Sequence, residues 1–188
     1  MVKMFCINIL RLFPSLFFMF GIMGCSWLIP EDEEFSFSRT PFNGSEFRTD
    51  GYYYEMFSFE SNKVVVEGVS IYFFNRNGTV LYGESPTTAE LAKWEDDYKN
   101  GQYYLKCKNN KIYWGIFKVD GKRIIYESWS NPNGTYLAYR YFLKIINDTT
   151  IEFTSSEHVY GDEKKTLEGI YHFKPFSPKP DSVVSFIP

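Results

Sequence analysis

From residue 51 to about residue 176 the chain alternates short apolar and aromatic runs with clusters of Gly, Asn, Asp and Pro. That alternation is the mark of a β-meander. The runs GYYYEMFSFE (51–60), VVVEGVSIYFF (64–74) and TVLYGE (79–84) read as three strands, and QYYLKC (102–107) as a fourth. IYWGIFKV (112–119), KRIIYESWS (122–130), TYLAYRYFLKII (135–146), TTIEFTSSEHVY (149–160) and TLEGIYHFKPF (166–176) follow. Between them NRNG (75–78), DG (120–121) and NPNG (131–134) place a glycine where tight hairpins need positive φ.

One stretch has a different period. SPTTAELAKWEDDYKNG (85–101) predicts a helix over about residues 87–100. Thr87 and Glu90 have capping-box spacing, Pro86 suits a helix entry and Gly101 a stop. Leu91, Trp94 and Tyr98 share a face, which leaves Glu95, Asp96 and Asp97 for water.

Most strands are apolar on both faces. Ile112, Trp114 and Ile116 alternate with Tyr113, Phe117 and Val119, and Leu137, Tyr139, Tyr141, Leu143 and Ile145 form one apolar row. Only 149–156 alternates cleanly, Ile151 and Phe153 against Thr150, Glu152 and Thr154. Two-sided strands in sequential order predict a mainly β fold, an antiparallel up-and-down meander of about eight or nine strands. The meander would close into a barrel with one inserted helix, its outside partly covered or meeting a partner. A β-sandwich is the alternative architecture.

Composition supports sheet: 19 Phe, 15 Tyr and 4 Trp make 20% of the chain, and aromatics fit a pleated, half-buried surface. A formal charge of -3 with no basic patch argues against nucleic acid as a partner.

The N-terminus carries an address. Lys3 and Arg11 precede an uncharged stretch over 12–29 that contains IMGC (22–25). A basic region, an apolar region and a small-residue exit are the parts of a secretory signal peptide. IMGC resembles the lipobox of bacterial lipoproteins. The resemblance implies cleavage after Gly24, a diacylglyceryl thioether on Cys25 and acylation of the new amino group, which together make a stable lipid anchor. An uncleaved membrane-spanning anchor is the other reading, since 12–29 meets the roughly 18-residue threshold. Ser26 in place of Asp implies, on the same resemblance, the outer membrane. EDEE (31–34) is similar to the surface-export signal of some Bacteroidetes lipoproteins, or is a solvated acidic tether. Without residues 1–24 the charge falls to -5, because Lys3 and Arg11 leave with them. Cys6 leaves too, and with Cys25 lipidated Cys107 is alone, so no intramolecular disulfide is expected.

The expected division is a signal peptide (1–24), a lipidated Cys25 on a flexible acidic tether (25–50), a barrel domain (51–176) and a Pro-rich tail (177–188), loose or clamped on the barrel. The strand run over about 50–176 resembles the lipocalin-like domains of many small bacterial lipoproteins, particularly of Bacteroidetes. That resemblance implies a barrel that binds a small apolar or amphipathic ligand.

Reactive chemistry is sparse. There is no Gly-x-Ser-x-Gly, no Gly-rich phosphate loop and no calcium-loop pattern. Cys107 between Lys106 and Lys108 reads as a small buried apolar residue. His158 and His172 flank the last turn and could meet, but lack a third zinc ligand. Glu55, Glu127, Glu152 and Glu168 lie on strands with no spacing that pairs them. The expectation is a non-enzymatic protein without cofactor or metal. Aromatic side chains with a polar edge suit amphipathic ligands, and Tyr53, Trp114, Trp129, Tyr139 and Tyr141 are the candidates for that contact. The alternative function is a cell-envelope interaction module that docks a glycan or a protein through exposed aromatic strand faces.

Overall fold

In the computed structural model the residues described are 31–61 and 64–188; the leader, Cys25 and the start of the tether lie outside them. Eight strands run in sequence: β1 (Gly51–Ser61), β2 (Val64–Phe74), β3 (Thr79–Tyr82), β4 (Trp114–Asp120), β5 (Arg123–Ser130), β6 (Leu137–Asn147), β7 (Thr150–His158) and β8 (Lys164–Pro175). Each is antiparallel to the next, and β8 returns to β1, so the meander closes into an up-and-down barrel. Full closure decides against the sandwich.

Between β3 and β4 stand α1 (Leu91–Lys99), α2 (Gln102–Cys107) and a 3-10 turn (Lys111–Tyr113). QYYLKC is therefore helix α2, not a strand. A six-residue run fits either period, and burial decides between them. Tyr103 and Cys107, one helical turn apart, are buried, whereas Leu105, which a strand would place beside them, is 56% exposed. Gly101, at φ 78, separates the two helices instead of ending the helical region. The Thr87–Glu90 contact forms, with the Thr87 amide and hydroxyl both donating to the Glu90 carboxylate. Glu95 does not face water. It accepts bonds from the Tyr52 hydroxyl and from Lys174 on the barrel wall, and against the opposing effect of burial these lower its pKa.

Two-sided strands produce two cores. The inner one gathers Tyr53, Phe74, Phe117, Ile124, Leu143 and Ile151 among others. The outer one covers Tyr52, Phe73, Trp114, Ile116 and Trp129. What covers them is the chain itself: Tyr98 from α1, Tyr103 and Cys107 from α2, Phe35 and Phe37 from the segment before β1, and Phe176, Val184 and Ile187 from the tail. The packed unit runs over Glu33–Pro188. From Glu33 onward the stretch read as a tether thus lies on the barrel, and the tail is clamped. Before β1, Phe42 and Phe47 enter the inner core. Each such burial contributes about 1.5–3 kcal/mol.

A part-buried ion-pair ladder crosses the outer face. Glu127 on β5, fully buried, faces Arg140 on β6, which also pairs with Glu157 on β7 at 2.9 Å. Ser36 closes the network from above, its amide and hydroxyl both donating to Glu127 at 2.7 Å.

Candidate functional site

The barrel's two ends differ. At the base, Phe47 packs with ring-centroid distances of 5.5 Å to Phe74, 5.8 Å to Phe117 and 5.9 Å to Tyr53. Those rings plug the interior. Toward the mouth, the inward rows of β2, β5, β6, β7 and β8 meet in a circuit of aromatic rings. Tyr72 lies 5.5 Å from Tyr171, Tyr171 4.8 Å from Phe153, Phe153 6.2 Å from Tyr141, Tyr141 5.3 Å from Tyr126, and Tyr126 6.0 Å from Tyr72. Gly115 makes room for this circuit, since a Cβ there would stand 2.4 Å from the Tyr126 ring. Beside Tyr141 of this circuit is an open cup of about 300 Å³, walled by Ser130, Tyr139, Tyr141, Ser156, Lys165 and Leu167, with Glu157 and Glu163 also lining it.

The floor is polar as well as aromatic. The Tyr171 hydroxyl donates to Ser70 at 3.3 Å. Burial raises the pKa of Tyr72, Tyr126, Tyr141 and Tyr171, so all four hydroxyls stay protonated at neutral pH. At the rim Tyr139 stacks on His158 with centroids 5.3 Å apart and donates to Glu163 at 2.9 Å. Glu163 also pairs with Lys165 at 2.7 Å, and these two bonds lower its pKa. A second recess of about 500 Å³ shares Ser130 with the cup and is lined by Tyr82, Ile112, Tyr113 and Tyr136.

One wall has a short seam. β1 and β8 pair only from Gly51 opposite Pro175 to Tyr54 opposite His172. Above that ladder the Glu55 carboxylate stands beside Gly169, where a Cβ would be 3.0 Å from it.

Of the aromatic residues singled out in the sequence, the structure brings Tyr139 and Tyr141 together in the cup. Tyr53 is in the plugged base, its hydroxyl accepting from the Arg48 amide at 3.1 Å and donating to the Asp148 carbonyl at 3.0 Å. Trp114 and Trp129 belong to the outward rows. Trp114 is fully buried beneath α2, its Nε1 donating to the Cys107 carbonyl at 3.0 Å. Trp129 stacks on Phe35 at 3.8 Å and donates to the Glu33 carbonyl at 2.7 Å, only its edge reaching the second recess. These three hold the fold together. Cys25 lies outside the described residues.

The sequence reading missed Tyr72, Tyr126, Tyr171, Ser156 and Lys165. The first three share a row with core residues two positions away, so strand parity was the available signal. Ser156 gave none. A bulge between Phe153 and Ser155 shifts the phase of β7, so that Ser156 joins the face of Ile151 and Phe153 opposite Tyr141 and Lys165.

Reactive groups do not converge. His158 sits at the mouth end of β7 and His172 lies opposite Thr150 at the other, so the pair does not meet. Burial pushes the Cys107 thiol up to about 12, which removes its nucleophilic form. Among the described residues no group of three His, Cys, Asp or Glu could hold a metal, and no helix is long and apolar enough to cross a membrane. No family model matches the chain, and neither does a curated protein or a solved structure.

Proposed function

We propose that this protein is a non-enzymatic, lipocalin-like binding protein that takes one small amphipathic ligand in the cup at its open end. The observation that carries this reading is the change of the inner lining from Phe, Ile and Leu at the base to Tyr and Ser around the cup. Tyrosine rings offer flat apolar faces and fixed hydroxyl donors, the combination that orients a ligand with an apolar body and a polar edge. A long apolar chain does not fit, because Phe42 and Phe47 fill the space it would need. The cup's volume, near the low end of roughly 300–1,000 Å³ for ligand pockets, suits a short, flat molecule. Its polar end would meet Lys165 and Ser156 beside Glu157 and Glu163, and its ring would lie on Tyr139 and Tyr141.

In this reading IMGC at 22–25 makes the protein a lipoprotein of the outer membrane, displayed at the surface, with Cys25 as the lipidated residue. Docking of a glycan or a protein through exposed aromatic strand faces has less support. The outward aromatics Tyr52, Phe73, Trp114 and Trp129 are already covered by the chain's own helices, strap and tail.

Native mass spectrometry of the full chain, released from detergent micelles, tests the binding reading. The expected result is a one-to-one adduct that disappears in Ser156→Trp, where an indole fills the cup. An adduct retained in that variant, or none in the unsubstituted protein, would overturn it.

A further inference from the structure

The plugged base carries a larger recess on its outer side. Residues 45–50, the β2–β3 turn and residues 179–182 of the tail enclose about 790 Å³. Three cations face it: Arg48, Arg76 and Lys179. One acid lines it, Asp50, and Arg48 holds that carboxylate with both Nε and a terminal nitrogen.

Lys179 and Arg76 are left without a counter-ion. The Lys179 Nζ donates to the Thr49 carbonyl at 2.7 Å and to the Phe74 carbonyl at 2.9 Å, which leaves one N–H of the ammonium free. Arg76 donates one terminal nitrogen to the Gly44 carbonyl at 2.8 Å while its guanidinium lies 5.5 Å above the Phe42 ring. Glu46 and Asp148, the other nearby acids, form no ion pair with either cation. Burial, with repulsion from Arg76 and against the attraction of Asp50, lowers the Lys179 pKa to about 8. Burying an ammonium costs free energy unless an opposite charge or hydrogen bonds compensate, and here two neutral carbonyls and the attraction of an Asp50 carboxylate already held by Arg48 offset it only in part.

We infer that the recess at the barrel's base is an oxyanion site, in which a phosphate-type group lies between the Lys179 ammonium and the Arg76 guanidinium. Such a group supplies acceptors for the free lysine N–H and for the guanidinium's unused donors, and it neutralises the local excess of positive charge. The oxyanion is either free phosphate or the headgroup of a larger phosphomonoester, since both present the same oxygens.

Calorimetric titration of the full chain in non-ionic detergent, at constant ionic strength in chloride, separates these sources. The probes are inorganic phosphate and a short-chain phosphatidic acid below its micelle concentration. Saturable binding of phosphate, or of the phosphatidic acid alone, supports the site and names its source, provided that Lys179→Gln and Arg76→Gln each weaken it at least tenfold. Arg76 is exposed, so Arg76→Gln keeps the fold, which its thermal midpoint verifies. Absence of saturable binding by both probes, or binding unchanged in Arg76→Gln, would overturn the inference.

Discussion

The two ends of the barrel are made by the same strands and hold different cores. At the base β2 contributes Phe74, β5 Ile124, β6 Leu143 and β8 Phe173. Two residues nearer the mouth, the same inward rows contribute Tyr72, Tyr126, Tyr141 and Tyr171. A single step along each strand therefore converts a dry plug into a surface with hydroxyls. The inward rings of the base are committed to stability, because they pack against one another and against Phe42 and Phe47 from the segment before β1. The mouth keeps hydroxyl donors: Tyr171 makes only a long bond to Ser70 at 3.3 Å, and Tyr139 donates to the exposed Glu163 carboxylate at the rim.

If that division holds, substitutions of the inward rings at the base act on stability and those of the inward rings at the mouth act on binding of the amphipathic ligand. Phe47→Ala should have the largest effect, a loss of about 3–5 kcal/mol in denaturant unfolding, because it opens a cavity among rings that cannot collapse into it. A loss below about 1 kcal/mol would mean that the plug is loosely packed and the two ends are alike.

The next effect follows pH. The folded-state pKa of Lys179 is lowered to about 8, so between pH 8 and about 10 the unfolded state binds more protons than the folded state. Stability then rises with pH across that window, and the burial cost is complete below it. Above about pH 10 the buried tyrosines act in the opposite sense, since their raised pKa values make the unfolded chain the first to ionise. Compared with Lys179→Met, the native protein should gain roughly 1–2 kcal/mol between pH 7 and 10, below the roughly 1.4 kcal/mol per pH unit that one full proton would give. A flat difference would place the ammonium in solvent and remove the polar exception at the base.

Tyr141→Phe should be the mildest in stability, below about 1 kcal/mol, as only a hydroxyl is lost and the ring keeps its contacts with Tyr126 and Phe153. The same variant should hold the bound ligand several-fold less tightly in competition assays. Equal ligand retention would move the binding surface away from the tyrosine floor.

Much of the barrel was legible in the chain. The turns at 75–78, 120–121 and 131–134 and the strands they join could be read because glycine and asparagine mark positive φ and the apolar runs are long. QYYLKC was not legible, because six residues carry too little periodicity to separate Tyr103 and Cys107 on a helix from Tyr103, Leu105 and Cys107 on a strand. The cup was half legible. Tyr139 and Tyr141 stand in a row that runs unbroken into Leu143 and Ile145, whereas Trp114 and Trp129 are equally aromatic and lie in the opposite phase. With both faces apolar, composition cannot say which face turns inward. Nor does any residue type announce the phase shift at Phe153 and Ser155, which depends on how β8 pairs.

The short seam between β1 and β8 bears on how the chain reaches this state. Of the other seven ladders, six close local hairpins, which can form within microseconds, and the β3–β4 ladder spans the helical insertion. The closing ladder joins residues 51–54 to residues 172–175, so it cannot form until nearly the entire polypeptide has emerged. During synthesis the first strand must wait with an unpaired edge, and Met56, Phe59 and Val65 are exposed along its hairpin even in the finished protein. That wait makes the last strand the commitment point of folding, and it makes the β1–β2 hairpin the segment where misassembly between nascent copies would begin.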